Sequence, residues 1–376
     1  MTEPVFREHT TIRVGGPARE WIRVEDDATL ARAARDVWDS GEEWLVLGGG
    51  SNLVVADEGF DGAVLHVATR GIEERPGAGA RAVRLRVAAG ESWDALVDHA
   101  VDRGYAGIEA MTGIPGSVGA APVQNIGAYG QELSQTLLGI DFLDAETGRL
   151  ERLSAPELGL GYRTSALKRG RRGVVTAVEL LLQRSGSDSD APSRPLAYAQ
   201  LAAALERSPG DTAPIGEVRA AVRALRGSKG MLLDPHDPDA VSAGSFFTNP
   251  IVRESFARAL PAEAPRWPVA AVVEAPGVTP LAELDAGAPL RLPEPAPEAL
   301  VKLSAAWLIE RSGVGRGFRL PGSRAAVSGK HTLALVNTGG ATAEEVAQLS
   351  RYIESRVQAE FGVLLQPEPV LVGLER

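Results

Sequence analysis

Two glycine-dense runs are the places where this chain could hold a charged ligand by its backbone. The longer, GIPGSVGAAPVQNIGAYG at 113–130, has five glycines, small residues and one amide pair, with neither a helical nor a strand period. The shorter, Gly48-Gly49-Gly50-Ser51-Asn52, follows the apolar stretch Trp44-Leu45-Val46-Leu47 and reads as a strand emptying into a tight turn. Glycine tolerates positive φ and lets a ligand approach the main chain, so bare N–H groups can line up against phosphate oxygens. Two such cradles suggest one diphosphate. Each run alone is equally consistent with an ordinary tight turn.

Other chemistries are excluded by composition. There is no cysteine, which removes disulfides, thiolate nucleophiles and Cys-based metal centres. His9, His66, His99, His236 and His331 are scattered without metal-ligand spacing, so no metal site is expected. A net charge of −10 argues against a nucleic-acid surface, which needs clustered Lys and Arg. The first residues, MTEPVFREHT, have no apolar core of a signal peptide, and no apolar run is long enough to span a bilayer. A cytoplasmic protein with no membrane partner is expected.

The elements that must carry the glycine runs alternate. At 27–40, Leu30, Ala33, Ala34, Val37 and Trp38 recur at helical spacing, with Asp27 or Thr29 as N-cap and Gly41 as the stop. The strand 44–47 and its glycine turn follow, then Leu53–Asp57 continues extended where a dinucleotide fingerprint would open a helix. A Rossmann reading therefore fails. Residues 63–89 read as two strands around a loop at 74–77. Ser92 caps an amphipathic helix ended by Gly104. Past the long glycine run come a hairpin around 146–148 and a strongly apolar strand at 174–182.

The polar stretch 185–195, SGSDSDAPSRP, reads as a linker or inserted loop, and 217–226 as a short helix. Residues 258–298 are rich in Ala, Pro and Glu with weak periodicity. Helices are expected at 299–311 and at 343–361, the second opened by a Thr342/Glu345 capping box, with a buried strand at 333–336 between them. The chain closes on a strand interrupted by prolines.

Taken together, GGGSN at 48–52, the long run at 113–130, GYRTSALK at 161–168, AGSFFTNP at 243–250 and LQPEPVLVG at 365–373 resemble the UDP-N-acetylenolpyruvoylglucosamine reductase family. The match in order and spacing covers nearly the whole chain. The resemblance implies an α+β protein with the FAD-binding fold of the vanillyl-alcohol-oxidase (PCMH) type, two α/β subdomains followed by a third α/β domain for the substrate. In this chain they fall at 1–68, at 69–230 with an inserted loop at about 185–230, and at 231–364, with 365–376 returning to the second subdomain.

The same resemblance implies FAD as cofactor, NADPH as co-substrate and UDP-N-acetylglucosamine enolpyruvate as substrate, and it is read here with the chain acting as a monomer. FAD is expected at Gly48, Gly49, Gly50, Ser51, Asn52, Gly113, Ser117, Asn125 and Gly127. Hydride is expected to pass from NADPH through the flavin to the enolpyruvyl C3, with Ser245 protonating C2. Arg163 and Glu368 match the pair that polarises the substrate carboxylate; Tyr198, Lys229, Asn249 and His331 match contacts to the nucleotide. Tyr198 lies in the extra loop that marks the family's first subtype. Without the resemblance, Ser245 reads as a turn residue, Arg163 as a surface ion-pair partner and Glu368 as a solvated strand-end charge.

Two other readings stay open. One is a sugar or alcohol oxidase of the same fold. The other is a catalytically silent nucleotide-sugar-binding regulator.

Overall fold

The computed structural model describes residues 4–77, 79–269 and 298–375. The helix Asp27–Ser40 buries Leu30, Ala34 and Val37 and ends on Gly41 in the left-handed conformation. Its N-cap is Asp26, one residue before the expected candidates, because the Asp26 side chain accepts from Thr29 N. The helix precedes Trp44–Leu47, which pairs in parallel with Phe60–Val67; Ala18–Val24 pairs with the other edge of that strand. This small parallel sheet delivers the turn at 48–52.

The second sheet is antiparallel and runs in the order Leu150–Ser154, Leu137–Asp144, Gly173–Arg184, Ala82–Ala88, Ile72–Pro76. The expected loop at 74–77 is therefore a strand up to Pro76, which stands at the outer edge where a missing N–H does no harm. Behind this sheet the helix Trp93–Asp102 buries Trp93, Leu96, Val97, Ala100 and Val101. Ser92 caps it by accepting from Ala95 N, as its sequence indicated. The polar stretch after Arg184 leads to the helices Ala199–Ala204 and Ile215–Gly227, which close a small apolar cluster of their own around Leu201, Val218 and Val222.

Beyond residue 231 the described residues form two three-stranded sheets, Ser242–Ser245 with Ala334–Asn337 and Ala325–Val327, and Ile251–Arg253 with Leu300–Leu303 and Arg266–Val269. The helix expected over 299–311 is thus shorter. Leu300–Leu303 is the central strand of its sheet, and the helix runs Ala305–Arg311 from a Ser304 cap that accepts from Trp307 N. Tertiary pairing on both edges outweighs the helical face read from Leu303, Ala306 and Trp307. The helix Ala343–Phe361 has the capping box of Thr342 and Glu345. Most of the weakly periodic 258–298 stretch lies outside the described residues.

The C-terminal strand departs from its expected address. Val370–Val372 pairs in parallel with Leu53–Val55, within 1–68 and not within the second subdomain. Ile12, Val14 and Val54 from the same N-terminal region pack into the C-terminal core. Both ends of the chain therefore meet beside the first glycine turn.

Candidate functional site

A cleft of about 450 Å³ opens where these regions meet, walled by Gly48, Gly49, Gly50, Ser51 and Asn52 on one side and by Ile114, Pro115, Gly116 and Ser117 on the other. The walls touch because their side chains are missing. A Cβ on Gly49 would lie 2.7 Å from Gly116 Cα, and one on Gly48 would lie 2.2 Å from Ser117 Oγ. Gly50 has φ +59°, and a Cβ there would sit 1.9 Å from the His9 carbonyl oxygen, so both its conformation and its surroundings demand glycine. Ser51 Oγ donates to Pro115 O at 2.9 Å and bolts the two loops together.

The far end of the cleft is charged. Arg163 sits at φ +53°, a strained backbone for a long side chain. Its Nη2 donates to Gly127 O at 2.9 Å and its Nη1 to Asn125 O at 3.3 Å. Nε lies 3.2 Å from Glu368 Oε1. That N–H is not aligned with the carboxylate and has no hydrogen-bond partner, although it is buried. Burial pushes the Glu368 carboxyl above the ordinary range, against the pull of Arg163 and Lys168. Gln124 Nε2 donates to Glu368 Oε1 at 3.2 Å, and Asn52 Nδ2 donates to Gln124 Oε1 at 2.8 Å. Burial lowers Lys168, with the Glu368 charge opposing.

Ser245 ends the strand Ser242–Ser245 and lines the same cleft, next to Gly244 at φ +73°. Gly48, Gly49, Gly50, Ser51, Asn52, Ser117, Gly127, Arg163, Ser245 and Glu368 thus converge on one cavity.

Gly113 and Asn125 do not line it and act from behind. Gly113 O accepts from Arg226 Nε at 3.1 Å. Asn125, buried at φ +47°, donates through Nδ2 to Gly161 O and accepts at Oδ1 from Ser134 N, so it braces the loop that holds Arg163.

The four expected nucleotide contacts separate. Tyr198 is 43% exposed and meets Tyr129 edge to face at 5.6 Å, while Lys229 Nζ lies 5.3 Å from the Tyr129 ring centre. His331 belongs with them, since burial and the Lys229 charge lower it to about 4. Asn249 stands apart: its Oδ1 accepts from Ala305 N at 2.9 Å, and its N–H donates to Tyr162 Oη.

Gln124, Lys168 and Arg226 line the cleft without having been singled out in the sequence. Lys168 closes the GYRTSALK run and Gln124 precedes Asn125. Arg226 had a signal of its own, because Val218, Val222 and Arg226 recur every four residues on the buried face of their helix.

The arrangement suits a dinucleotide cofactor. Glycine walls leave room for a diphosphate, and the orphaned Arg163 N–H beside a carboxyl of raised pKa awaits an acceptor. Among the described residues, no cluster of His, Cys, Asp or Glu could hold a metal ion, and no helix is long and apolar enough to cross a membrane.

Comparison with known proteins agrees with a dinucleotide cofactor. Residues 19–154 match the family described as FAD binding domain, and residues 236–372 match UDP-N-acetylenolpyruvoylglucosamine reductase, C-terminal domain. The chain is 55% identical to the UDP-N-acetylenolpyruvoylglucosamine reductase of Leifsonia xyli over 382 residues, covering 100% of both chains. It is 48% identical to that of Saccharopolyspora erythraea, covering 97% of this chain and 93% of the relative. The crystal structure of the Thermus caldophilus reductase superposes with a TM-score of 0.59 at 26% identity, covering 98% of this chain and 97% of that one.

Proposed function

The chain belongs to the UDP-N-acetylenolpyruvoylglucosamine reductase family, and from that premise we propose how its cleft performs the family's reaction. It is a UDP-N-acetylmuramate dehydrogenase, a flavoenzyme of peptidoglycan precursor synthesis that uses FAD and NADPH. When bound, FAD would supply the hydride relay from NADPH toward the enolpyruvyl C3. Gly48–Asn52 and Gly116–Ser117 would hold its diphosphate; Gly113, Asn125 and Gly127 keep those walls and Arg163 in place.

Hydride addition at C3 leaves negative charge at C2 that spreads into the adjacent carboxylate. Arg163 receives that carboxylate with its unpartnered Nε–H. Glu368, its pKa raised by burial, faces the same carboxylate and shares a proton with it as the charge grows, recovering that proton once C2 is protonated. Ser245 Oγ then delivers its proton to C2, completing the lactyl ether, and is reprotonated from solvent. A serine hydroxyl is a weak acid, so this step depends on position, and help of this kind contributes about 10²–10⁴-fold. Tyr198, Lys229 and His331 grip the uridine diphosphate, and Asn249 caps the helix Ala305–Arg311 through its Oδ1. The chain acts as a monomer.

The observation that best supports this reading is the juxtaposition of Arg163 and Glu368, 205 residues apart in the chain, at one end of a glycine-walled cleft that also contains Ser245. Its test is the visible spectrum, taken anaerobically after NADPH and again after UDP-N-acetylglucosamine enolpyruvate. Bands that bleach with NADPH and return with the enolpyruvyl compound are expected. Ser245→Ala should bleach at the parent rate and recover about 10²–10⁴-fold more slowly; recovery at the parent rate would remove Ser245 from the mechanism. Bands that return only with oxygen would mark an oxidase.

A further inference from the structure

Two helices packed beside the cleft carry matched charges. On Trp93–Asp102, Asp94, Asp98 and Asp102 lie at four-residue spacing; on Ile215–Gly227, Arg219, Arg223 and Arg226 lie at four and three. Arg219 Nη1 meets Asp98 Oδ1 at 3.1 Å and Asp102 Oδ1 at 2.9 Å. Arg223 Nη2 meets Asp94 Oδ2 at 2.9 Å and Asp98 Oδ2 at 3.1 Å. Arg226, the last rung, turns away from the acids to main-chain carbonyls, Gly113 O at 3.1 Å and Met231 O at 2.8 Å.

Asp94 differs from the other acids in reaching the glycine loop as well as an arginine. Oδ1 accepts from Gly113 N at 2.6 Å and from Thr112 Oγ1 at 3.2 Å, while Oδ2 takes Arg223. The peptide groups flanking Gly113 are thereby gripped from two helices, the N–H by Asp94 and the carbonyl by Arg226. Gly113 begins the run that forms one wall of the cleft. The helix that holds its carbonyl continues within two residues into Lys229, beside Tyr129 and Tyr198.

We propose that Asp94 is a positioning residue that couples the cofactor loop to the nucleotide-sugar side of the enzyme. It sets the Gly113 turn through Oδ1 and the helix Ile215–Gly227 through Oδ2, so the cradle and the Lys229 region share one reference point. The two attachments are chemically separable. Asn at position 94 retains a carbonyl acceptor for Gly113 N but not the charge that pairs with Arg223. Ala loses both. The proposal rests on the assignment of the glycine cleft to FAD and of Lys229 and Tyr198 to the substrate.

The test measures FAD dissociation by the fluorescence of released flavin, and separately KM and kcat for UDP-N-acetylglucosamine enolpyruvate. Asp94→Ala should weaken FAD retention about tenfold or more, the loss of a hydrogen bond from a charged acceptor, and should also raise KM. Asp94→Asn and Arg223→Gln should both raise KM several-fold while leaving FAD retention within about twofold of the parent. Arg219→Gln, whose acidic partners do not touch the glycine loop, should lower thermal stability and change neither constant. Equal FAD retention in Asp94→Ala and the parent would overturn the proposal. So would a parent-like KM in both Asp94→Asn and Arg223→Gln. If Asp94→Ala fails to fold, those two variants still decide the coupling. A parent enzyme that binds FAD but does not turn over the enolpyruvyl compound refutes the substrate reading instead, and the FAD arm remains valid.

Discussion

The glycine walls and the charged end of the same cleft are built on opposite terms. Along the walls the backbone has no room to change: Gly49 faces Gly116 and Gly48 faces Ser117 at distances no Cβ could occupy as they stand, and Gly50 presses on the His9 carbonyl. At the charged end, groups are held but incompletely satisfied. Arg163 stands in a strained conformation with a buried N–H unpartnered, and Glu368 is short of solvent while sharing two nearby cations. A region that grips a cofactor in every state of the cycle gains from being fully determined. A region that must stabilise charge appearing only during reaction gains from donors already in place and not yet used.

The comparison breaks most sharply at Gly50. Ala there meets the His9 oxygen at 1.9 Å and must hold φ near +59°; main-chain overlap of that kind costs about 3 kcal/mol or more. Gly50→Ala should purify with little or no flavin and melt well below the parent, as FAD stoichiometry by absorbance and a thermal scan would reveal. A full complement of FAD would mean that the walls are looser than their spacing indicates. At the charged end the same-sized change should spare the fold. Glu368→Gln preserves shape and removes the titrating carboxyl, so FAD content should stay at the parent level while kcat falls about 10²–10³-fold, the range for losing one preorganised electrostatic group. A kcat within a few-fold of the parent would leave Glu368 as a structural partner of Arg163 alone.

Both regions were legible in the sequence, by different routes. The glycine clusters announced themselves locally, since no regular element uses five glycines in eighteen residues. The charged end could not be read from spacing, because Arg163 and Glu368 are brought together only when Val370–Val372 pairs with Leu53–Val55; likeness to a family supplied them. What stayed hidden depended on long-range partners. Leu300–Leu303 carries too few residues for a period to distinguish a strand from the first turn of a helix, and its two neighbouring strands decide the matter. Asn125 and Asn249 look alike as amides in the sequence, but Asn125 is used on both sides by backbone groups, whereas the Asn249 Oδ1 takes Ala305 N. Asp94 reads as an ordinary solvent-facing residue of an amphipathic helix, and only the packed helix Ile215–Gly227 shows its second partner.

The smallest expected effect separates the two regions by the sign of their response to pH. Burial and the neighbouring His9 hold His66, behind the first glycine turn, down to about 4. In the unfolded chain this imidazole protonates near 6.5, so the unfolded state binds the extra proton between those values and stability falls as pH drops from about 6.5 toward 4. Glu368 acts in the other direction. Its folded pKa is raised, so the folded state retains a proton that the unfolded state has released, and stability falls as pH rises from the ordinary carboxyl value through the raised one. Urea denaturation of the apoprotein across this range should show His66→Gln reducing proton uptake on unfolding by about one near pH 5. Glu368→Gln should gain stability relative to the parent as pH rises through the Glu368 window. Parallel pH curves for the parent and both variants would mean that neither region stores its charge asymmetry in the folded state, and the contrast between a sterically fixed cradle and a poised charged end would lose its energetic basis.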